Sequence, residues 1–64
     1  MSPLRWLTAE RVRHAQELLE SIDEPVEWVA RRTGFGTAPN FRQHFRRATS
    51  ISPQAYRRVF RTKR

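Results

Sequence analysis

The chain has 64 residues, a net charge of +7 and no cysteine. A domain of this length buries only about 60% of the surface that its unfolded chain exposes, which leaves no room for an enzyme cleft with its own supporting residues. The lack of cysteine excludes disulfides and thiolate metal sites. No apolar run approaches the roughly 20 residues of a membrane span. We therefore expect a soluble, cytoplasmic domain that is not an enzyme.

The first predicted element is a long helix over residues 3–21. Ser2 can cap its first turn, and Pro3 suits the first helical position because its missing N–H would have no partner there. No proline or glycine interrupts the residues that follow. Apolar residues then recur at helical spacing and form a stripe: Leu4, Leu7, Val12, Ala15, Leu18, Leu19 and Ile22.

The second predicted helix covers residues 25–32 and begins at Pro25. Four small or β-branched residues share one of its faces: Val26, Val29, Ala30 and Thr33. Gly34 ends the helix because glycine readily takes the left-handed conformation of a helix end. Phe35 places a large apolar group inside the turn, where it can fill the space between two crossing helices. A short helix, a three-residue turn and another helix form the pattern of a helix-turn-helix.

Helix three is predicted over residues 38–48, with Thr37 or Ala38 as its cap and Pro39 in its first turn. Its apolar stripe is predicted to consist of Phe41, Phe45 and Ala48. Polar side chains occupy the opposite face or flank it: Asn40, Arg42, Gln43, His44, Arg46 and Arg47. Asparagine and glutamine can pair with adenine, and arginine can pair with guanine, so this face suits readout of a DNA major groove.

A fourth helix is predicted over residues 53–61, because Ser52 and Pro53 repeat the signal of a cap followed by proline. Its apolar edge is predicted to consist of Tyr56, Val59 and Phe60. The chain is thus expected to be all-α, with four helices and a three-helix core like that of a homeodomain.

Charge is divided unequally along the chain. Residues 1–27 contain all six acids and three arginines, a balance of −3, whereas residues 28–64 contain ten basic residues and no acid, a balance of +10. Such a basic half favours an anionic partner, and twelve of the thirteen basic residues are arginine, which binds phosphate and guanine in bidentate geometry. We predict phosphate contacts by Arg31 and Arg32 at the end of helix two and by Arg57 in helix four.

Two tryptophans and one arginine do not fit the apolar stripes. Trp6 points roughly half a turn away from the stripe of the first helix, and we expect it to be largely exposed. Trp28 either covers helix two locally or marks the surface of a lost partner. Arg11 lies on the apolar side of helix one; it is either a surface arginine or the ion-pair partner of an acid such as Asp23 or Glu27.

The chain closely resembles the C-terminal DNA-binding domain of AraC/XylS-type transcription regulators. The matching spacings are Val26-x-x-Val29-Ala30-x-x-x-Gly34-Phe35, Phe41-x-x-x-Phe45 and Ser52-Pro53-x-x-Tyr56-Arg57, preceded by Pro3-x-x-Trp6-Leu7-x-x-x-Arg11-Val12-x-x-Ala15-x-x-Leu18-Leu19. The resemblance implies that residues 1–22 are the linker helix and residues 23–64 the second of two helix-turn-helix units. It also implies a fragment of a larger regulator, without the first unit and an effector or dimerisation domain.

The resemblance carries specific roles for residues around helix three. It implies base contacts by Ala38, Pro39, Asn40, Arg42 and Gln43. It implies phosphate contacts by Thr37, Arg46 and Arg47. Ser50 stands where the family usually has glycine, so we expect a non-glycine residue in a left-handed helix cap, at a cost of up to about 1–2 kcal/mol.

Two other kinds of function are weighed against DNA binding. A basic membrane-active peptide would be disordered without lipid, whereas this chain should unfold cooperatively in circular dichroism, and the turn at Gly34 argues against one continuous amphipathic helix. A helix-turn-helix module that binds only proteins is the second alternative, which the acid-free face of helix three disfavours. The only histidines, His14 and His44, have no third ligand, so we expect neither a metal nor a cofactor.

Overall fold

The computed structural model describes residues 3–61, which form four helices: α1 (Pro3–Ser21), α2 (Val26–Arg32), α3 (Ala38–Thr49) and α4 (Pro53–Phe60). The predicted all-α class and the order of the helices are confirmed. Pro25 precedes α2 as its N-cap residue, α3 continues to Thr49, and Arg61 follows α4. Ser2, the predicted cap of α1, lies outside the described residues.

The core forms where α3 packs between the C-terminal half of α1, the helix α2 and the helix α4. Phe41 and Phe45 of α3 are completely buried at its centre. Around them lie side chains from every other helix and from the turn: Val12, Ala15, Leu19, Val26, Val29, Ala30, Phe35, Ala38 and Tyr56. Successive aromatic rings from Phe35 through Phe41, Phe45 and Tyr56 to Phe60 have centroids 4.6–5.5 Å apart, within the range of favourable aromatic pairs.

Several residues of the predicted apolar stripes lie outside this core, which corrects those predictions. Leu4 is 75% exposed, and Leu7 is also exposed, because a helix of 19 residues is about 28 Å long and extends beyond the three shorter helices. Ala48 is exposed as well, and Ala38 supplies the small apolar side chain of α3 instead. Val59 and Phe60 of α4 are mostly accessible.

The two tryptophans and Arg11 have distinct surroundings. Trp6 is 57% exposed, which confirms the prediction for it. Trp28 is half-buried and packs against the core from the outside of α2. The side chain of Arg11 lies beside the helix-turn-helix turn, close to Gly34. Among the described residues Arg11 forms no ion pair with either Asp23 or Glu27, and Asp23 pairs with Arg61 instead.

Polar contacts join α4 to the C-terminal end of α1. The Tyr56 hydroxyl donates a hydrogen bond to Glu20. Arg57 donates to the backbone oxygen of Leu19 over 3.3 Å and to that of Ile22 over 3.0 Å. The last turn of α1 contains no basic residue, so α4 provides the positive charge that a helix C-terminus favours. These contacts fix α4 on the C-terminal end of α1.

No helix in residues 3–61 is both long and apolar enough to cross a membrane.

Candidate nucleic-acid interface

The turn between α2 and α3 has a well-defined backbone. Gly34 has a φ of 92°, in the left-handed region where only glycine is unstrained. The amides of Phe35 and Gly36 both donate to the carbonyl oxygen of Ala30, over 2.9 and 3.2 Å. A Cβ atom on Gly34 would lie 2.9 Å from Nε of Arg11, so a larger residue here would displace only the flexible end of the Arg11 side chain. The left-handed backbone conformation is therefore what favours glycine at this position.

Phe35 connects this turn to α3, as the sequence predicts. Its side chain is buried, and its ring packs against those of Phe41 and His44, with centroids 5.3 and 5.5 Å apart. His44 lies beside Phe35 rather than in a metal site, and no group of potential metal ligands is found among the described residues. The contacts of Phe35 determine the direction in which α3 leaves the turn.

The first turn of α3 is held by two side chains. Thr37 is its N-cap residue, and the hydroxyl oxygen of Thr37 accepts a 3.3 Å hydrogen bond from the backbone N–H of Asn40. Nδ2 of Asn40 donates a 3.0 Å hydrogen bond back to the carbonyl oxygen of Phe35. This second bond was not predicted from the sequence, although short amide side chains often donate to nearby backbone carbonyls.

One side of α3 is exposed and lies opposite Phe41 and Phe45. It carries most of the residues predicted to contact bases or phosphates: Pro39, Asn40, Arg42, Gln43, Arg46 and Arg47. Ala38 is only 7% exposed and belongs to the core, so its methyl group is directed away from this face. The face is thus built from α3 residues after Ala38.

The arginines of this face differ from those on α1. Arg13 pairs with Glu10 and Glu17 over 3.0 and 2.9 Å, and these pairs raise its pKa. By contrast, α3 contains no acid. Within residues 3–61, none of the three α3 arginines forms an ion pair. Their positive charge is therefore available to an anionic partner.

The remaining predicted phosphate contacts have two different environments. Arg31 and Arg32 are exposed in the last turn of α2, and Arg32 lies over the ring of Trp28 with 5.7 Å between its Cζ atom and the ring centroid. Thr37 is exposed at the start of α3. Arg57 is half-buried and bonded to the end of α1, which leaves Nη1 as the part of its guanidinium that could reach a phosphate.

Comparison with known proteins decides the family. A family described as "Helix-turn-helix domain" matches residues 1–59, which is almost the whole chain. The chain belongs to the AraC/XylS-type helix-turn-helix family. The family consists of DNA-binding transcription regulators, so this member is a DNA-binding domain and not an enzyme. The resemblance seen in the spacing of residues is thereby confirmed.

Individual relatives agree with this assignment. The HTH-type transcriptional regulator Rv1931c of Mycobacterium tuberculosis is 39% identical over 59 residues, which is 92% of this chain and 23% of the relative. The melibiose operon regulatory protein of Escherichia coli K12 is 30% identical over 60 residues, or 94% of this chain and 20% of the relative. The chain therefore spans about a fifth of the length of the curated relatives it matches.

A solved structure shares the fold. It is the DNA-binding domain of AdpA, a global transcriptional factor, in complex with a target DNA. The similarity has a TM-score of 0.89 at 47% sequence identity and covers 94% of this chain and 54% of the AdpA domain chain. The expected helix-turn-helix fold is confirmed by this similarity.

Proposed function

We propose that this chain binds double-stranded DNA by placing α3 in the major groove, as the DNA-reading part of a transcription regulator. The observation that carries the proposal is the exposed, acid-free side of α3, on which Arg42, Arg46 and Arg47 have no carboxylate partner within the described residues. A helix-turn-helix uses its second helix in this way. The expected setting is the cytoplasm, where bacterial DNA is found.

The exposed residues divide into two groups by position along α3. Pro39, Asn40, Arg42 and Gln43 lie near its N-terminal end and are proposed to contact base edges, since that end of a recognition helix points into the groove. Ala38 is left out because its side chain is in the core. Phosphate contacts are proposed for the capping residue and for arginines at the margins of the groove: Thr37, Arg46, Arg47, Arg31 and Arg32. The Nη1 group of Arg57 is a further proposed phosphate contact.

We also propose that α1 continues the domain toward a preceding helix-turn-helix unit and a further effector or dimerisation domain of the whole protein. Leu4, Trp6 and Leu7 support this proposal, because these three large apolar side chains are all exposed on the part of α1 that extends beyond the core. The AdpA domain, which is about twice as long as the matched region, is consistent with it. A longer chain that includes the preceding residues should shift Trp6 fluorescence to the blue when Trp28 is replaced by Phe, and an unchanged emission would contradict the proposal.

The binding itself is tested by fluorescence anisotropy with duplexes of random sequence at several salt concentrations. We expect a dissociation constant of about 10⁻⁴–10⁻⁶ M at physiological salt. The logarithm of the association constant should fall linearly with the logarithm of the salt concentration, with a slope of about −0.9 for each phosphate neutralised. Arg46→Gln and Arg47→Gln should each reduce the magnitude of that slope by about one, whereas Arg13→Gln should leave it unchanged. A folded chain that does not bind the duplex even at low salt would overturn the proposal and favour a protein-binding module.

Base readout needs a separate measurement. Gln43→Ala and the unmodified chain are each used to enrich duplexes from a random pool, and the enriched sequences are compared. The variant should lose preference at particular positions and retain its nonspecific affinity, because only base contacts carry sequence information directly. If Gln43→Ala lowered the affinity for all sequences equally, the proposed base contact by Gln43 would be contradicted.

A further inference from the structure

The outer face of α2 carries an aromatic and cationic cluster that the base contacts do not include. Trp28, Arg31 and Arg32 border a hollow of about 320 Å³. Trp28 is half-buried and packs against the core. The guanidinium of Arg32 lies over this ring at 5.7 Å from the centroid.

The geometry fits an arginine that is oriented before it meets a ligand. A guanidinium over the face of tryptophan is attracted by the negative face of the ring. Arginine otherwise has many rotamers, and ordering a long side chain on binding lowers affinity. A ring that already holds Arg32 removes part of that ordering from the binding step.

The charges around the hollow indicate an anionic ligand. Arg31 and Arg32 are exposed, and within residues 3–61 neither forms an ion pair, in contrast to Arg13 and Arg61. Glu27, in the first turn, is the only acid of α2. Five residues separate Arg32 from the beginning of α3, so the hollow lies on the segment that leads directly to the groove-reading helix.

We propose that Trp28 is a positioning residue that holds Arg32 for a DNA phosphate at the edge of the groove, and that the hollow between Trp28, Arg31 and Arg32 receives this phosphate. The inference rests on the proposed DNA-binding function. Trp28 therefore belongs to the proposed DNA interface by acting through Arg32.

The test uses the full chain and duplex DNA of random sequence, with anisotropy measured over a range of salt concentrations. Arg32→Gln should weaken binding and reduce the magnitude of the salt slope by about one, as expected for one lost phosphate contact. Trp28→Leu should weaken binding about three- to tenfold at unchanged slope, because the charge remains but is no longer oriented. Trp28→Phe keeps an aromatic face and should stay within about twofold of the unmodified chain.

A double variant tests whether the two residues act together. Trp28→Leu combined with Arg32→Gln should bind no more weakly than Arg32→Gln alone, since Trp28 acts only through Arg32. Arg13→Gln is the matched control, because it removes the same charge from the ion-paired surface of α1. Additive losses, or a Trp28→Leu chain that binds as well as the unmodified one, would overturn the inference. Failure of the unmodified chain to bind DNA would instead contradict the proposed function.

A second measurement does not require a change of side-chain shape. In a Trp6→Phe chain, Trp28 is replaced by tryptophans that carry an increasing number of fluorine atoms. Fluorine weakens the negative charge on the face of the ring and keeps the shape that packs against the core. Duplex affinity should decrease stepwise with fluorination in the presence of Arg32 and should not change in the Arg32→Gln background. Fluorination that leaves the duplex affinity constant would overturn the inference. It would also be overturned if replacement of Trp28 weakened binding of a polyglutamate peptide but did not weaken binding of the duplex.

Discussion

Arg57 of α4 binds the chain just after α1, because its Nη2 atom donates a 3.0 Å hydrogen bond to the carbonyl oxygen of Ile22. A second bond from Nε reaches Leu19. The two partners are 35 and 38 residues away in the chain, so this contact joins α4 to the C-terminal end of α1. It makes Arg57 a structural residue first, in addition to any phosphate contact.

The first prediction concerns the stability that Arg57 provides. Arg57→Met keeps much of the apolar stem and removes both hydrogen bonds, so the free energy of unfolding should fall by about 1.5–3 kcal/mol, the range for hydrogen bonds to charged groups. Urea unfolding followed by circular dichroism measures the change. The neighbouring exposed residue provides the control, since Arg58→Met should change stability by no more than about 0.5 kcal/mol. Equal effects of the two substitutions would show that the bonds to α1 contribute little.

The second prediction is a loss of stability at high pH. Burial, together with the hydrogen bond to Glu20, raises the pKa of Tyr56 to about 12 from the usual 10 or so. The folded state thus binds the hydroxyl proton more tightly than the unfolded state. The stabilisation is complete below about pH 10 and is lost as the pH rises toward 12.

Tyr56 is the only tyrosine, so the absorbance of tyrosinate reports its ionisation directly. The folded chain should ionise near pH 12 and the urea-unfolded chain near pH 10. Tyr56→Phe keeps the ring and should show no corresponding decline in stability across this interval. A tyrosine that ionises at its usual pKa in the folded chain would contradict the burial of its hydroxyl.

The third prediction concerns the C-terminal cap of α3. Ser50 has a φ of 73° and is the only non-glycine residue with positive φ among those described, as the family resemblance led us to expect. Ser50→Gly should raise the free energy of unfolding by up to about 1 kcal/mol, because relief of the left-handed strain exceeds the entropy that glycine adds to the unfolded chain.

Thermal unfolding measures this effect, at about 4–8 °C per kcal/mol for a domain of this size. Ala9→Gly is a control of opposite sign, because Ala9 is an exposed residue in the interior of α1 and glycine there should destabilise the helix by about 0.5–1 kcal/mol. A Ser50→Gly chain that melts at or below the temperature of the unmodified chain would show that the cap is not strained.

The fourth prediction separates two polar residues of α3. Asn40 donates to the carbonyl oxygen of Phe35, whereas Gln43 is exposed one turn further along. Asn40→Ala should lower the free energy of unfolding by about 0.5–1.5 kcal/mol, the usual contribution of such a hydrogen bond. Gln43→Ala should leave stability unchanged within about 0.5 kcal/mol and alter only base preference. Similar stability of both variants would place Asn40 among simple surface residues.

Local signals in the sequence were sufficient for the helices and the motif. Some signals act only on the neighbouring backbone, so their effect can be predicted without knowledge of the fold. They are the cap Ser52 followed by Pro53, the capping residue Thr37 and Gly34. The exposed side of α3 follows from the same 3.6-residue period that buries Phe41 and Phe45. For these reasons the sequence alone predicted the helix order, the family and most of the candidate interface.

Tertiary structure decided which of those side chains remain available. Arg57 meets the end of α1, Ala38 enters the core and Arg32 lies over Trp28, whereas Leu4 remains outside the core because α1 extends past its neighbours. Each outcome depends on how helices distant in sequence cross, which hydrophobic periodicity does not specify. The sequence determined that this domain presents a basic surface without acids. The packing of the helices determined which of its arginines are free to bind a partner.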